Sequence, residues 1–401
     1  MRVFIICNKS PYPPREGGAI AMHAIITGLI DAGHQVRVLA INTNKYFVHP
    51  DDIPPEFRKA TNFETVFINL SVNPFEAFIN LFTTRSYHVQ RFISKDMKRK
   101  ISSVLQNNRF DIIQLETLYM APYIDIIRKY SDGKIILRAH NVEHLIWERI
   151  TKNCRNPLKR FYLGHLYRTL KKFELTTLNR VDGLAAITKK DADTLIQLGC
   201  HMPVTDVPFG IGPRDYDGHP DIQPEIPSLF HIGSMNWIPN LEGIQWFLEK
   251  AWERIHQEIP ELTLYLAGRM TPSWLLNARY PNVQVIGEVD DALTFMLSKW
   301  IMIVPLFSGS GIRIKIIEAM AAGKPVIATT IGAEGINCTK GKDILIADTA
   351  DEFCETLKWC IREPDRCREI GDNAKALIRR EYDNHLIINK LTDFYGRILA
   401  S

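Results

Sequence analysis

The sequence predicts an α/β protein of two doubly wound domains, and three observations carry that expectation. Short β-branched runs alternate with helical patterns along most of the chain. The alternation breaks once, between residues 201 and 227, and then restarts. The chain of 401 residues is too long for one typical core, so two domains of about 200 residues each are the natural division.

Taken in order, residues 3–7 and 35–41 read as strands flanking a helical stretch, 19–32, that stops at Gly33. Further strands are expected at 65–70, 112–115, 135–138 and 183–186. Strands alternating with helices imply right-handed βαβ units and a mostly parallel sheet. Between 201 and 227, Pro203, Pro208, Pro213, Pro220, Pro224 and Pro227 fall among Gly and Asp, which reads as a linker. It separates a first domain, 1–205, from a second, 206–383. In the second, strands are expected at 229–232, 262–267, 283–286, 301–304, 326–328 and 344–347, with a helix near 241–256. Helical patterns dominate from residue 350, and no internal repeat of 20–50 residues is visible. Two such domains facing each other would leave a cleft at the carboxyl ends of both sheets, the edge where open α/β sheets bind ligands.

With 46% hydrophobic and 23% charged residues the chain reads as globular. It has no apolar run long enough for a transmembrane helix. Residues 1–7 run directly into Asn8, Lys9 and Ser10 and read as a first strand rather than a signal peptide. Seven cysteines without a Cys-x-x-Cys pair fit a reduced, cytoplasmic protein. Residues 1–205 hold 29 Lys and Arg against 18 Asp and Glu, whereas the remainder holds 20 against 27. The surplus sits in 91–100 and 152–172. These stretches are either solvated helix faces or a surface for an anionic membrane or a lipid-diphosphate acceptor. In 159–174, Phe161, Leu163, Leu166, Tyr167, Leu170 and Phe173 interleave with cations. That pattern suits a helix lying on a membrane or one packing its stripe on its own domain.

Chemistry concentrates in Gly309-Ser310-Gly311-Ile312-Arg313-Ile314-Lys315, followed by Glu318 in Glu-Ala-Met-Ala and then Gly323-Lys324-Pro325-Val326. A Gly-rich turn opening a helix points backbone N–H groups and the positive dipole end at an anion. Arg313 and Lys315 add two cations, and Glu318 stands where it would grip paired hydroxyls. The set suits a diphosphate next to a ribose, as in a nucleotide-sugar. Gly17-Gly18, after the first strand, reads as a plain turn or as a place where phosphate or sugar approaches the backbone. A Rossmann Gly-x-Gly-x-x-Gly is absent, which argues against a dinucleotide oxidoreductase. Asp191-Ala192-Asp193 falls on a helical pattern and reads as solvated helix residues, so no metal site is indicated.

The segment 309–335 resembles the donor-binding helix of retaining glycosyltransferases of family 4, which have the GT-B architecture. Where the family usually carries a first Glu, eight residues before Glu318, this chain has Ser310, as in one branch of the family. The resemblance implies two Rossmann-like domains, with a terminal helix, about 384–399, crossing back onto the first. It implies that Gly17 and Gly18 lie near the donor phosphates and that His140, in Arg138-Ala139-His140-Asn141, reaches the transferred sugar. Glu143 is left open between pairing with Arg138 and facing the acceptor. Gly233 and Ser234 would border the diphosphate. Because Trp237 and Asn240 replace a usual Arg and Lys in that loop, Arg313 and Lys315 would carry most of its charge. Gly287, Glu288 and Val289 would hold the base through backbone groups. Ser310, Gly311 and Ile312 would line the donor turn, and Glu334 and Gly335 the sugar pocket.

By this resemblance the protein is a retaining, hexosyl-type glycosyltransferase. It would act on a glycan or lipid-linked acceptor in bacterial surface polysaccharide assembly, such as O-antigen, lipopolysaccharide, capsule or exopolysaccharide. The nucleotide-sugar is a co-substrate, and no cofactor, metal or nucleic acid is expected. Its place would be the cytoplasm or, peripherally, the inner face of the membrane. A GT-B sugar-nucleotide epimerase and a non-catalytic nucleotide-sugar-binding subunit are the competing readings.

Overall fold

The computed structural model describes residues 1–14, 17–218, 222–309 and 311–401; Ser310 lies outside the described residues. The chain forms two compact units, one of Met1–Gly210 with Asn384–Ser401 and one of Ile211–Asp383.

The first unit is built on a seven-stranded sheet of β1 (Arg2–Cys7), β2 (Gln35–Thr43), β3 (Glu64–Ile68), β4 (Ile112–Glu116), β5 (Lys134–Ala139), β6 (Gly183–Ala186) and β7 (Val204–Asp206). Their spatial order is β3-β2-β1-β4-β5-β6-β7, and every pairing is parallel. Alternation along the strands feeds two core layers. Phe4, Ile6, Leu39, Ile41, Ile113 and Leu115 face one, and Val3, Ile5, Val36, Val38, Ile112 and Ile136 face the other. A sheet buried on both faces reads as near-continuous apolar runs, which is why these strands are legible. The terminal helix, Asn384–Ala400, belongs to this unit. Its Ile387, Ile388, Leu391, Phe394, Tyr395 and Ile398 enter the second layer beside Met22, Ile25, Ile26 and Leu29 of helix Gly17–Asp31.

The second unit carries six parallel strands: β8 (Glu225–Ile232), β9 (Thr263–Ala267), β10 (Val283–Gly287), β11 (Lys299–Val304), β12 (Val326–Ala328) and β13 (Leu345–Ile346). Their order is β10-β9-β8-β11-β12-β13. The helix expected at 241–256 is interrupted. Ile238–Trp246 passes through a π-helical turn, Phe247–Trp252, into Glu253–Glu258. The turn brings Phe247, Leu248, Ala251 and Trp252 together into the core.

The boundary at 205 needs correction, because the first unit extends to Gly210. The proline-rich stretch is not a free linker. It supplies β7, a 3-10 turn at Pro213–Tyr216, and the buried alternation Val207, Phe209, Ile211. Extended, proline-stiffened backbone buries every second residue just as a strand does. Both sheets reverse winding direction beside their first strand, at β1/β4 and at β8/β11. Asp191 lies in the first turn of helix Lys189–Gln197, where its N–H is capped by Thr188 Oγ1 at 2.9 Å.

Candidate functional site

In the first unit, β1, β4 and β5 are in register with Cys7 opposite Glu116 and Glu116 opposite Arg138. Glu116 and Arg138 are fully buried and joined at 3.2 Å. His140, the residue directly after β5 and only 11% exposed on its side chain, places Nε2 2.6 Å from Glu116 Oε2. Gln114 Nε2 donates to Glu116 Oε1 at 2.6 Å, and the Tyr395 hydroxyl of the terminal helix donates to Gln114 Oε1. Burial alone would raise the Glu116 pKa, but Arg138 and His140 outweigh it and hold the carboxyl below its usual range. Burial, helped by Arg138 and Lys9, pushes His140 down despite Glu116. A neutral His140 donating from Nε2 to a carboxylate keeps Nδ1 as an acceptor.

Lys9 joins this edge. Its chain lies across Gly18, at whose position a Cβ would stand 3.0 Å from Lys9 Nζ, and its ammonium is 5.0 Å from the centre of the Tyr46 ring. Helix Gly17–Asp31 starts at the Gly-Gly pair. The two glycines, His140 and Lys9 thus share the carboxyl edge of the first sheet.

Glu143 does not pair with Arg138. Arg138 is taken by Glu116, and Glu143 accepts from the Tyr119 hydroxyl at 2.9 Å. Burial and the nearby Glu174 charge raise its pKa to about 7. Glu174 caps helix Glu143–Asn153 from outside, accepting the N–H groups of Glu143 and His144 at 2.9 and 3.0 Å.

Directly after Glu116, Thr117 is held at φ 77°, ψ 157° with its hydroxyl buried and without a partner. Such a conformation suits glycine and costs about 1–3 kcal/mol for other residues. Thr117→Gly should therefore raise Tm, because the relieved strain exceeds glycine's entropic penalty of roughly 0.5–1 kcal/mol. Calorimetry that finds a lower Tm would assign Thr117 a stabilising contact instead.

In the second unit the cations converge. Lys315 Nζ donates to Asn240 Oδ1 at 2.7 Å and meets His231 Nε2 at 3.1 Å. His231 Nδ1 lies 2.9 Å from the Ile303 carbonyl. Burial and the Lys315 charge push the His231 pKa far down, so the ring is neutral, donates from Nδ1 and accepts the ammonium at Nε2. Burial and Arg313 likewise lower the Lys315 pKa well below the ordinary amine value. Asn240 is oriented by donating to Ser234 O at 2.9 Å. Arg313, the N-cap residue of helix Ile314–Ala321, lies with its guanidinium carbon 5.5 Å from the centre of the Trp237 ring. It also reaches the Gly311 and Ile331 carbonyls. Trp237 and Asn240, the two departures from the usual loop, thus each hold one of the cations. Gly309 adopts φ +105°, which favours glycine, and a Cβ there would press on the Trp237 ring at 3.1 Å and Arg313 Nη2 at 3.2 Å.

Glu318 sits one turn into that helix, half-buried, and no described residue hydrogen-bonds its carboxylate. Burial raises its pKa to about 7. Gly311 and Ile312 lie in the turn before the helix, and the 331–335 loop that carries Glu334 and Gly335 is tied to Arg313 through Ile331. Gly287 ends β10, followed by Glu288 and Val289, three strand spacings from β11, or about 14–15 Å. Glu288 is exposed and paired with Arg269 at 2.9 Å, whose carbonyl accepts from Met235 N–H at 2.8 Å.

Comparison with known proteins fits this geometry. Residues 15–214 match the family model described as Glycosyltransferase Family 4, and residues 226–363 the model described as Glycosyl transferases group 1. Among solved structures, sucrose-phosphate synthase of Thermosynechococcus elongatus superposes with a TM-score of 0.68 at 14% identity, covering 100% of both chains. HepE of Anabaena, solved in complex with UDP, gives 0.68 at 14%, covering 99% of this chain and 100% of that one. These likenesses show the fold, that of GT-B glycosyltransferases. The family matches over both halves make the class plain: the protein is a GT-B glycosyltransferase. A relative from Klebsiella pneumoniae, described as an uncharacterized 44.6 kDa protein in the cps region, is 20% identical over 97% of this chain and 98% of its own length.

Proposed function

We propose that the protein is a retaining transferase that moves a hexosyl group from a nucleoside diphosphate sugar to a glycan or lipid-linked acceptor in surface polysaccharide assembly. The observation that carries this reading is the Lys315–His231–Asn240 cluster beside Arg313 at a helix N-terminus, with Glu318, which no described residue hydrogen-bonds, one turn further on. HepE's complexes with UDP and UDP-glucose support a nucleotide-sugar donor, and the Klebsiella relative's cps region supports the polysaccharide setting.

In this reading the diphosphate takes the helix N-terminus and both cations, and Glu318 accepts from the ribose hydroxyls. The base lies toward Gly287, Glu288 and Val289, and Glu334 and Gly335 serve the sugar. As the glycosidic bond breaks, negative charge grows on the departing diphosphate while the sugar becomes oxocarbenium-like. Fixed donors aimed at that charge lower the barrier. His140, oriented by Glu116, serves the transferred sugar. Because two cations and a dipole neutralise the leaving group, no divalent ion is required.

The test is a thermal-shift screen of nucleoside diphosphates and their sugars, followed by a transfer assay with and without EDTA. A ligand at 100 times its Kd stabilises by about 2.7 kcal/mol, on the order of 5–10 °C for a unit of this size. Turnover should survive EDTA. No shift with any nucleoside diphosphate would overturn the donor site, and activity lost to EDTA and restored by magnesium or manganese would overturn the metal-free reading.

A further inference from the structure

The short helix Pro74–Asn80 in the first unit is amphipathic the wrong way round for a water-soluble surface. Its buried residues are Ala77 and Asn80. Ala77 belongs to a small cluster with Tyr87, Leu163 and Leu166, and the Asn80 carbonyl lies 3.0 Å from His165 Nε2. The outward face carries Phe75, Phe78, Ile79 and Phe82 at i, i+3, i+4 and i+7. They are 71, 60, 46 and 79% exposed. Phe78 and Phe82 pack edge-to-face at 5.6 Å, so the patch holds together without shelter. The same cluster fixes this helix against helix Pro157–Leu178, whose first turns expose Leu158 at 83% and Phe161 at 68%. Scattered exposed apolar residues need no explanation, but a contiguous group marks a contact surface.

Charge identifies the partner. Residues 149–173, which supply the neighbouring surface, contain eight Lys and Arg and no Asp or Glu. Lys152, Arg155, Lys159 and Arg160 are exposed there. Aromatic rings that enter an acyl boundary beneath a cationic rim are the design of a helix lying in a membrane interface. We propose that the Pro74–Asn80 helix, with Leu158 and Phe161, docks the first unit onto an anionic lipid bilayer. Of the two basic stretches singled out in the sequence, this surface uses 152–172 and not 91–100. The Leu163, Leu166 and Leu170 stripe of the basic helix is buried in its own unit. Within 91–100, Lys100 pairs with Glu64, Arg99 with Asp96, and Arg91 donates to Leu70 O at 2.9 Å.

The experiment is cosedimentation of the full chain with liposomes of phosphatidylcholine alone or with 30% phosphatidylglycerol (roughly, a bacterial level of anionic lipid). The wild type should bind the anionic vesicles at least tenfold more strongly, and salt should weaken that binding. Combined Phe75→Ser, Phe78→Ser and Phe82→Ser should lower it tenfold or more with an unchanged Tm, since these side chains are exposed. Lys159→Glu with Arg160→Glu should remove the preference for anionic lipid, whereas Lys98→Ala with Arg99→Ala should leave binding intact. Equal binding to both vesicle types, or none, overturns the proposal. So does binding lost only in the Lys98/Arg99 variant, or a phenylalanine patch that proves to be buried in a dimer by sedimentation velocity. None of these readouts requires turnover, so they stand or fall apart from the transferase reading.

Discussion

Lys315→Met is expected to lower turnover by about 10²–10³-fold while changing donor affinity much less. Removing one fixed donor from a developing anion costs about 2.7–4 kcal/mol in comparable sites. Lys315 has three N–H groups; His231 and Asn240 take two, which aims the third. Burial and Arg313 already disfavour the ammonium in the free protein, so an arriving diphosphate supplies the counter-charge that the fold withholds. Single-turnover rates on the donor found by thermal shift would measure the effect. A loss below threefold would remove Lys315 from the bond-breaking step.

Glu318→Ala should weaken nucleoside diphosphate binding by roughly tenfold to a hundredfold, the range of a charge-assisted hydrogen bond worth about 1.5–3 kcal/mol. Glu318 adds a pH signature. Its folded pKa of about 7 means that the accepting carboxylate forms only as pH rises through neutrality. Wild-type affinity should therefore climb between pH 6 and 8. Glu318→Gln should lose that component and retain whatever comes from the ligand's own phosphate. The stability linkage has the opposite sense. The folded carboxyl keeps a proton that the unfolded one sheds, so its contribution falls as pH rises from 4.5 toward 7. Glu318→Gln should flatten that decline in urea titrations. Calorimetric titration that finds the same pH dependence in both proteins would detach Glu318 from the ligand.

The parallel strands were legible because burial on both faces leaves unbroken apolar runs; 183–186 and 326–328 coincide with β6 and β12. The cation-rich turn stood out in the sequence because Gly309, Arg313, Lys315 and Glu318 lie within one short segment. What escaped is what depends on distant partners. Glu116 is explained only by Arg138, 22 residues on, and His231 only by Lys315, 84 residues on. The visible trace of the first was Gln114 and Glu116, two polar residues two apart in an otherwise apolar strand. Lys9 carries no motif, and its proximity to Gly18 exists only once β1 and its helix are folded. The Pro74–Asn80 helix escaped for another reason: its apolar face points outward, so periodicity predicts the opposite burial.

The terminal helix bears on how the chain comes to fold. Residues 384–400 fill a layer of the first unit's core, and Tyr395 completes the polar chain through Gln114 and Glu116 to His140. Domains generally fold as they leave the ribosome, the N-terminal one first. Here the first unit must wait for residues 384–401, while the second unit, uninterrupted in sequence from Ile211 to Asp383, has all its parts earlier. During translation one face of the first sheet therefore stands only partly covered, by helix Gly17–Asp31 without its terminal partner. The Tyr395–Gln114 end of that polar chain forms only after helix Asn384–Ala400 docks, so a ribosome-stalled chain ending before residue 384 would present the second unit folded and the His140 side unfinished.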